Sequence, residues 1–583
     1  MTEVEPLLRR LRLAVFDFGG VFTENRVWVN ERAACWVVLV AWLVGAVFLA
    51  AAFMLAVVIP IHAQDALTFG EWSRLIAQHW HFHYDAATPQ EYGRPLYYVL
   101  QGWLWGVFGF HEPLGRILSG LFSVLLLGSL VQLLRGRPWG GLAAALGVLA
   151  LVSMPVYAAQ IVSGLTDIPV AALVALAGAL LWRRRPGLAG AIVLALTCAL
   201  AMLAKSSALL ALVGLALAQV LVNESWRSRL LYRITPVAGG AALGLVYDAV
   251  QAHEAGQSLR TFLQAGVNAA YYRALADESR RYALLDGAWF GDGLRVAAFF
   301  AIVYTILRLA RLRHRLGVAV GVPTALLLGW LGPWLAAHRS DTTVGALHST
   351  GAALAALGTA LFLCAGMFGF RDAVAERREL LQLAVWAIPT AFAWLLYGAY
   401  DFRLLAPAWP PLLALIVLAA LPAATAFARR GALVAAVPAA LFAIVVAENA
   451  YNLDGLGKSG LSELRRTHHW LNRDQTRAIV LPAFSRALVV VRREMRPGDD
   501  MVSPEGAFRF FYPGHVEQSY PNTCGFLHRF RVFVLLTDEG SKRYMRDFLH
   551  VSPEPSFWAA CKRPHLTQLT SGSEGYAVFR IQS

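Results

Sequence analysis

Apolar runs of about 20 residues recur along the chain, separated by short polar segments that are rich in arginine. An α-helix needs about 20 apolar residues to cross the hydrocarbon core of a bilayer. The pattern therefore predicts a membrane domain over residues 34–448, after an N-terminal leader over 1–33. We expect thirteen spans, near residues 36–60, 113–134, 140–158, 168–182, 188–204, 207–222, 234–252, 294–310, 317–337, 351–370, 382–398, 405–425 and 432–448.

The first long loop, within residues 61–112, carries two further helical patterns. From Ala66 to Gln78 the apolar residues recur on one face of a helix, whereas Pro95 to Phe110 is apolar and rich in Trp and Tyr. Amphipathic and aromatic segments of these kinds are typical of the membrane interface. We expect both segments to be helices that lie on the membrane surface.

The C-terminal part of the chain, residues 449–583, is more polar than the rest. Its stretches ALVVVRRE, RVFVLLTDE and YAVFRIQS resemble β-strands in their apolar content and alternation. The predicted architecture is therefore an all-α polytopic membrane bundle followed by a small α/β domain outside the membrane.

Arginine is concentrated in every second connection between spans, in RGRP, WRRRPG, NESWRSRLLYR, RLARLRHR, RDAVAERRE and ARRG. Short loops that carry Lys and Arg stay in the cytoplasm. This asymmetry places the N-terminus in the cytoplasm and the C-terminal domain on the outer face. In a bacterium, the protein would lie in the inner (plasma) membrane with this domain in the periplasm.

Composition excludes several other classes of protein. Hydrophobic residues make up 57% of the chain and charged residues 15%, whereas soluble domains carry about 25% charge. A string of soluble domains and a disordered chain are both excluded. The net charge of +14 comes from clusters that membrane topology requires, so we expect no nucleic-acid partner.

The five cysteines are too few for a disulfide-stapled scaffold. Cys524 and Cys561 fall in the predicted outer domain, where an oxidising compartment would allow them to pair. We therefore expect a disulfide between them.

The first loop holds acidic residues close to the membrane surface, among them Asp65 and Glu71. Asp65 follows the first span directly and opens the amphipathic helix. A carboxylate in that position can accept a proton from a substrate hydroxyl as a general base. The alternative interpretation is that these are solvated loop carboxylates.

The run HWHFHYD in the same loop places His81, His83 and Asp85 close together. Alternate residues of an extended segment share one face, so these side chains are candidate ligands for a metal ion. The alternative is a set of interfacial histidines among aromatic neighbours.

Three further polar residues stand at predicted span ends. Asp167 opens the fourth span, where it could also cap the helix. Lys205 lies in the apolar turn LAMLAKSSALLAL, where a charge is costly and usually functional, although a lysine there can also snorkel to the surface. Arg403 opens the twelfth span and could bind a lipid phosphate by bidentate hydrogen bonds.

The leader contains FDFGGVFTENRVWVN, which resembles the first motif of the haloacid dehalogenase phosphatases, with Asp17 in the place of the nucleophile. The other motifs of that family need a long soluble region downstream, whereas a predicted span begins almost at once. A strand, an amphipathic leader, a gene-fusion relic or a misplaced start explains the segment better.

Four segments together resemble the GT-C glycosyltransferases, in particular the protein O-mannosyltransferases and the lipid A aminoarabinose transferase. They are QDALTFGEWSRLIAQ, then GRPLYYVLQGWLWGVFG with GRILSGLFSVLLL, then LTDIPVAALVAL, and finally the pair LAKSSALLAL and FRLLAPAWPPLLAL. The resemblance covers about residues 36–450. It departs from the family at Gly93 to Pro95, where His-Pro-Pro or Lys-Pro-Pro is usual, and at Ala66, where the family often has a second acidic residue.

The resemblance implies transfer of a sugar from a polyprenyl-phosphate carrier to a lipid, glycan or protein acceptor. It implies that Asp65 is the general base and that Asp167 and Glu71 orient the acceptor or a divalent metal. It also implies that a group of cations binds the donor phosphate: Lys205, Arg403 and Arg94. If so, Lys205 and Arg403 should approach one another near Asp65 on the outer face, in contact with membrane lipids.

Other functions remain open at this point. A transporter or flippase for lipid-linked saccharides would show internal repeats and charges near the middle of the membrane, and neither is evident. An O-antigen ligase or polymerase would place its large outer loop late in the chain. A structural membrane scaffold would leave the outer acidic residues and Lys205 without a role.

Overall fold

The computed structural model describes residues 38–39, 42–54, 64–79, 94–135, 140–260, 374–398, 402–428 and 473–582, with gaps of one to three residues at 153, 162, 184–186, 255, 257, 513–514, 522, 548–549 and 574. The leader with Asp17, the His81, His83 and Asp85 segment, and the predicted spans at 294–310, 317–337, 351–370 and 432–448 lie outside these residues. The total of thirteen spans therefore stays a prediction.

The described part of residues 38–428 is helical, and each predicted span within it coincides with a helix. The helices are α1 (Trp42–Met54), α2 (Gln64–His79), α3 (Leu96–Phe108), α4 (Glu112–Arg135), α5 (Gly140–Val152), α6 (Pro155–Ile161), α7 (Asp167–Arg183), α8 (Leu188–Ala204), α9 (Ala208–Val220), α10 (Thr235–Glu254), α11 (Val374–Ala393) and α12 (Trp409–Ala428). A short helix, Trp226–Arg229, and a π-turn, Leu230–Ile234, lead into α10, and a 3₁₀ segment, Phe402–Ala408, leads into α12.

Two of the described helical segments, Glu112–Arg135 and Trp226–Glu254, are long and apolar enough to cross a bilayer, and shorter apolar helices pack beside them. The outward faces of these helices are apolar as well. On α8 and α10 the exposed side chains include Leu188, Ile192, Leu196, Leu243 and Val246. Continuous exposed apolar faces of this kind are unfavourable in water and favourable in lipid. The helical part of the chain is a membrane-embedded bundle.

The two predicted interfacial helices form and pack against one another. Gly102 of α3 leaves room for Ile76 of α2, and Ser73 Oγ donates a hydrogen bond of 3.0 Å to Gln101 Oε1. Trp105 at the end of α3 is buried, and its indole Nε1 donates to the carbonyl oxygen of His111 at 2.8 Å. This helical pair forms a platform beside the bundle.

The C-terminal region contains a five-stranded mixed sheet. The strands are β1 (Met501–Val502), β2 (Val516–Glu517), β3 (Val532–Leu536), β4 (His565–Gln568) and β5 (Tyr576–Gln582). Their order in the sheet is β2-β1-β3-β5-β4. Strand β1 pairs in parallel with β2 and with β3, whereas the pairs β3–β5 and β4–β5 are antiparallel. The helices are α13 (Arg473–Val480), α14 (Pro482–Glu494), α15 (Ala507–Phe511), α16 (Glu539–Asp547) and α17 (Pro555–Ala559), together with a 3₁₀ turn, Cys524–Arg529.

The predicted strands in RVFVLLTDE and YAVFRIQS are confirmed as β3 and β5, but the prediction for ALVVVRRE is wrong. Those residues belong to α14. The buried positions of this helix include Phe484, Ala487, Leu488 and Val491, which follow the helical spacing of three and four residues, and Val489 is exposed. Packing on one helical face therefore overrides the β propensity of three consecutive valines.

The C-terminal region docks on the α2–α3 platform. Gly70 of α2 lets the ring of Phe510 approach closely, and Arg74 Nη1 donates to the carbonyl oxygen of Phe510 at 2.7 Å. Arg477 and Glu112 form a buried ion pair, with Nη2 and Oε1 3.4 Å apart. One apolar cluster therefore joins the start of α2, the loop before α7 and the sheet: Ala66, Leu67, Leu165, Phe484, Phe508 and Val532 belong to it.

The predicted disulfide between Cys524 and Cys561 is present, with Cα atoms 5.9 Å apart. We expect Cys524→Ser combined with Cys561→Ser to destabilise the C-terminal region by roughly 3–4 kcal/mol, because the bond closes a loop whose freedom in the unfolded chain is otherwise larger. Chemical denaturation of the full chain, followed by hydrogen exchange in β3 and β5, measures the loss. Free thiols at both Cys524 and Cys561 in the wild-type chain under oxidising conditions would contradict the assignment.

The carboxylate of Glu494 accepts hydrogen bonds from Arg580 Nε at 2.5 Å and from Arg493 Nε at 3.2 Å. The bond from Arg580, and next the bond from Arg493, hold the pKa of Glu494 below its usual value, against the opposing effect of burial. The ion pair therefore stabilises the fold fully above about pH 4.3, the ordinary pKa of glutamate. This stabilisation is lost as the pH falls through the lower pKa of the folded state.

We expect hydrogen exchange in α14 and β5 to accelerate in the wild-type chain as the pH is lowered through this range, after correction for intrinsic exchange. Glu494→Gln should already exchange faster at pH 7 and should change less on acidification. Equal pH dependence in the two chains would show that this pair does not contribute.

Candidate functional site

Lys205 and Asp167 meet where three helices of the bundle end or begin. Helix α8 ends at Ala204, Lys205 follows in extended conformation, and α9 begins at Ala208. Lys205 Nζ forms an ion pair with Asp167 Oδ1, at the first residue of α7. Each charge complements its helix dipole, because an acid is favoured at an N-terminus and a cation at a C-terminus.

The two members of this pair differ in exposure. The side chain of Asp167 is 2% exposed, whereas that of Lys205 is 23% exposed. Asp167 is therefore a buried counter-charge, and the Lys205 side chain remains partly accessible. Such a group can bind a second anion without leaving the first.

A second ion pair joins Arg94 and Asp248. Arg94 lies two residues before the start of α3, and its Nη2 is 2.6 Å from Oδ2 of Asp248 in α10. The Asp248 side chain is buried, with 1% exposure, and the Arg94 side chain is mostly covered, with 11% exposure. Arg94 was among the residues predicted to bind the donor phosphate, whereas Asp248 was not predicted, although an acidic residue inside the apolar run GLVYDAV is itself a signal of function.

The packing of α8 against α10 brings the two ion pairs to the same height in the bundle. The helices run in the same direction, with Gly240 against Ala195 and Cys198, and Gly244 against Met202. Asp248 follows Gly244 by one turn, and Lys205 follows Met202 by three residues. Axes of packed helices lie about 8–10 Å apart, so Asp248 and Lys205 are level neighbours.

A third set of residues meets at Gly164, in the loop that leads to Asp167. A Cβ at this position would lie within 3.7–3.8 Å of Arg116, Tyr97 and Ala66. Arg116 is buried, and Tyr97 donates a hydrogen bond of 2.6 Å to the carbonyl oxygen of Gly115. Because Ala66 is next to Asp65, the start of α2 lies against the loop that carries Asp167.

Asp65 is the second residue of α2, as the sequence predicts. Its side chain lies outside the part of the structure that is described, so its role as a base stays a prediction. Glu71, on the same helix, is buried.

Arg403 is half-buried in the 3₁₀ segment Phe402–Ala408, which packs against α6 and α7. The segment that carries Arg403 therefore packs against the helix that begins with Asp167. Its predicted approach to Lys205 near Asp65 stays a prediction.

The described residues do not bring three or more His, Cys, Asp or Glu side chains together as a metal site. Asp167, which the resemblance assigned to orienting the acceptor or a metal, has Lys205 as its counter-charge. The predicted metal ligands, His81, His83 and Asp85, lie outside the described ranges.

No protein-family profile matches the sequence, and no curated protein matches it. Three solved structures are similar over most of the chain. ArnT from Cupriavidus metallidurans bound to undecaprenyl phosphate has 16% identity and a TM-score of 0.48, with 93% of this chain and 97% of that chain covered. The apo state of that protein has 16% identity and a TM-score of 0.46, with 94% and 98% covered.

The third is the Archaeoglobus fulgidus oligosaccharyltransferase in the apo form, with 14% identity and a TM-score of 0.48. Here the match covers 90% of this chain and 73% of the other. Both kinds of protein have the GT-C fold.

The register between α8 and α10 can be tested with two adjacent glycines. We expect Gly240→Leu to lower stability by roughly 1–3 kcal/mol or more, because its side chain would overlap the Ala195 backbone. Gly239→Leu is the matched control, because a Cβ there meets nothing within 4 Å. Thermal unfolding in the same detergent measures both variants, and equal losses would contradict the register.

Proposed function

We propose that this protein is a GT-C membrane glycosyltransferase that moves a sugar from a polyprenyl-phosphate donor to an acceptor. The observation that carries the proposal is the partly exposed Lys205, held by buried Asp167 at one end of an apolar bundle. The level position of the Arg94–Asp248 pair supports it. Cations fixed at the end of a lipid-embedded bundle suit a phosphate that is attached to a lipid tail.

The reaction needs these cations most when the donor bond breaks. As the acceptor oxygen attacks the anomeric carbon, the bond from that carbon to the phosphate oxygen breaks, and the electron pair stays on the lipid phosphate. Lys205, Arg94 and Arg403 would stabilise this growing negative charge. Direct displacement inverts the anomeric centre.

The acceptor hydroxyl must lose a proton in the same step. Asp65 would take it, because α2 begins where Gly164 and Ala66 meet, beside the loop that carries Asp167. Asp167 would hold Lys205 in place and, with Glu71, orient the acceptor. A divalent metal is a further candidate for orienting the acceptor at this place.

The docked C-terminal region indicates on which side of the membrane the site lies. The apolar cluster joins that region to the start of α2 and to Leu165, two residues before Asp167. The site is thus on the side of the C-terminal domain. The arginine asymmetry of the loops puts this side outside the cytoplasm, which supports a periplasmic reaction at a bacterial inner membrane.

The acceptor would be a lipid, a glycan or a protein that reaches the site beside the α2–α3 platform. Membrane lipids would surround the apolar faces of the bundle. The alternatives are a transporter or flippase, which moves the lipid-linked saccharide intact, and a ligase that uses a lipid-linked chain.

The test follows the fate of the donor bond. The purified chain in sealed proteoliposomes is incubated with a lipid extract that contains polyprenyl-phosphate sugars and with cell-envelope acceptors. We expect free polyprenyl phosphate and a glycosylated acceptor, both detected by mass spectrometry. Intact donor on the opposite leaflet would indicate a flippase and overturn the proposal.

Two variants assign the roles. Asp65→Asn should reduce turnover by about 10²–10⁴-fold, as expected for loss of a general base, while donor binding is retained. Lys205→Ala should weaken donor binding by roughly 10–100-fold, because a charge-assisted hydrogen bond is lost. Lys562→Ala, at an exposed lysine of the C-terminal region, is the matched control and should leave both quantities unchanged.

A further inference from the structure

Asp248 has no part in the reaction proposed above, and yet it is buried within an apolar helix. A carboxylate at such a position is expensive and is usually retained for function. Its partner is Arg94, 154 residues away along the chain. The bond between them ties α10 to the start of α3.

Arg94 uses only part of its guanidinium group on Asp248. Its Nη2 donates to Asp248 at 2.6 Å. Its Nη1 is buried and has no hydrogen-bond partner within the described ranges. A buried donor without a partner is unfavourable, so a ligand that accepts this bond would be favoured. Because Asp248 occupies the other nitrogen, the ligand need not displace it.

Two other polar atoms close in sequence to the two ion pairs are also buried without a hydrogen-bond partner among the described residues. Gln251 Oε1, one turn after Asp248 on α10, and Ser207 Oγ, two residues after Lys205, are buried and without a hydrogen-bond partner in the described part of the chain. Buried polar atoms are normally satisfied. Their presence around the two ion pairs indicates a place where a polar group binds.

We propose that Asp248 is a positioning residue, which holds Arg94 by one nitrogen so that Nη1, together with Lys205, binds one phosphate group of the lipid-linked donor. The inference rests on the proposed function and adds to it a residue from a different helix. It also separates the two acids of the site: Asp167 positions Lys205, and Asp248 positions Arg94.

A competing interpretation is that Asp248 occupies Arg94 and must be displaced by the donor. The two interpretations predict opposite effects of neutralising Asp248. If Asp248 positions Arg94, Asp248→Asn weakens phosphate binding. If Asp248 competes, the same substitution strengthens it.

The experiment measures binding of undecaprenyl phosphate to the full chain in nanodiscs. We expect Asp248→Asn to weaken binding about tenfold, Arg94→Ala to weaken it at least as much, and the double variant to be no weaker than Arg94→Ala alone. Such non-additivity shows that Asp248 acts through Arg94. Asp248→Glu, which keeps the charge, should restore part of the affinity.

The matched control is Glu224→Gln. Glu224 forms a similar buried pair with Arg233, 2.6 Å apart, before α10 begins. Its loss should lower thermal stability without changing phosphate affinity, which separates positioning from general destabilisation. Inorganic phosphate is tested in parallel, and binding as tight as that of the lipid would overturn the assignment to a lipid-linked phosphate.

The remaining outcomes are distinguishable. If the wild-type chain binds the lipid phosphate and Arg94→Ala weakens it, but Asp248→Asn is unchanged or tighter, the positioning role is wrong and the proposed function stands. If the wild-type chain does not bind the lipid phosphate, the proposed function fails, and this inference fails with it.

Discussion

The pairing of charges within an apolar bundle is the constraint on which the arrangement of this site depends. An isolated charge in such surroundings is strongly unfavourable, so each cation must be built together with its counter-charge. Lys205 has Asp167 and Arg94 has Asp248, and in both pairs the acid is the more deeply buried member. The two acids are therefore held inside the bundle as counter-charges, and each cation can still donate hydrogen bonds to another anion.

Small residues make this arrangement possible. Helices in a membrane gain little from hydrophobic association with one another and depend on close backbone approach. Gly240 and Gly244 give α10 that approach to α8, and they set the height at which Asp248 stands beside Lys205. Gly164 serves the loop before α7 in another way, because its φ of 76° is a backbone conformation that glycine adopts without strain, at the place where Arg116, Tyr97 and Ala66 converge. The site thus owes its geometry to glycines that carry no chemistry themselves.

Much of this could be predicted from the sequence, because much of it is local. Apolar runs predicted the helices. The Cys524–Cys561 disulfide was predicted because both cysteines fall in the same polar domain, which was expected to lie in an oxidising compartment. The predictions failed where the outcome depended on residues far away in the sequence. The segment ALVVVRRE is a helix because one helical face packs in the core of the C-terminal region, so its β propensity gave the wrong prediction of a strand. Asp248 was overlooked because its meaning depends on Arg94, which no local pattern connects with it.

The position of the C-terminal region follows from the same logic and connects it with the chemistry. Arg74 of α2 binds the backbone carbonyl of Phe510, and Arg477 pairs with Glu112 at the start of α4, so one arginine fixes this region to the α2–α3 platform and another fixes it to α4. The apolar cluster below them contains Ala66, the neighbour of Asp65, and Leu165, which precedes Asp167 by two residues. A movement of the docked region would therefore disturb the packing at the start of α2 and at the loop before α7. The proposed base and the counter-charge of Lys205 stand at these two places, so the docked C-terminal region also helps to fix the positions of both acids.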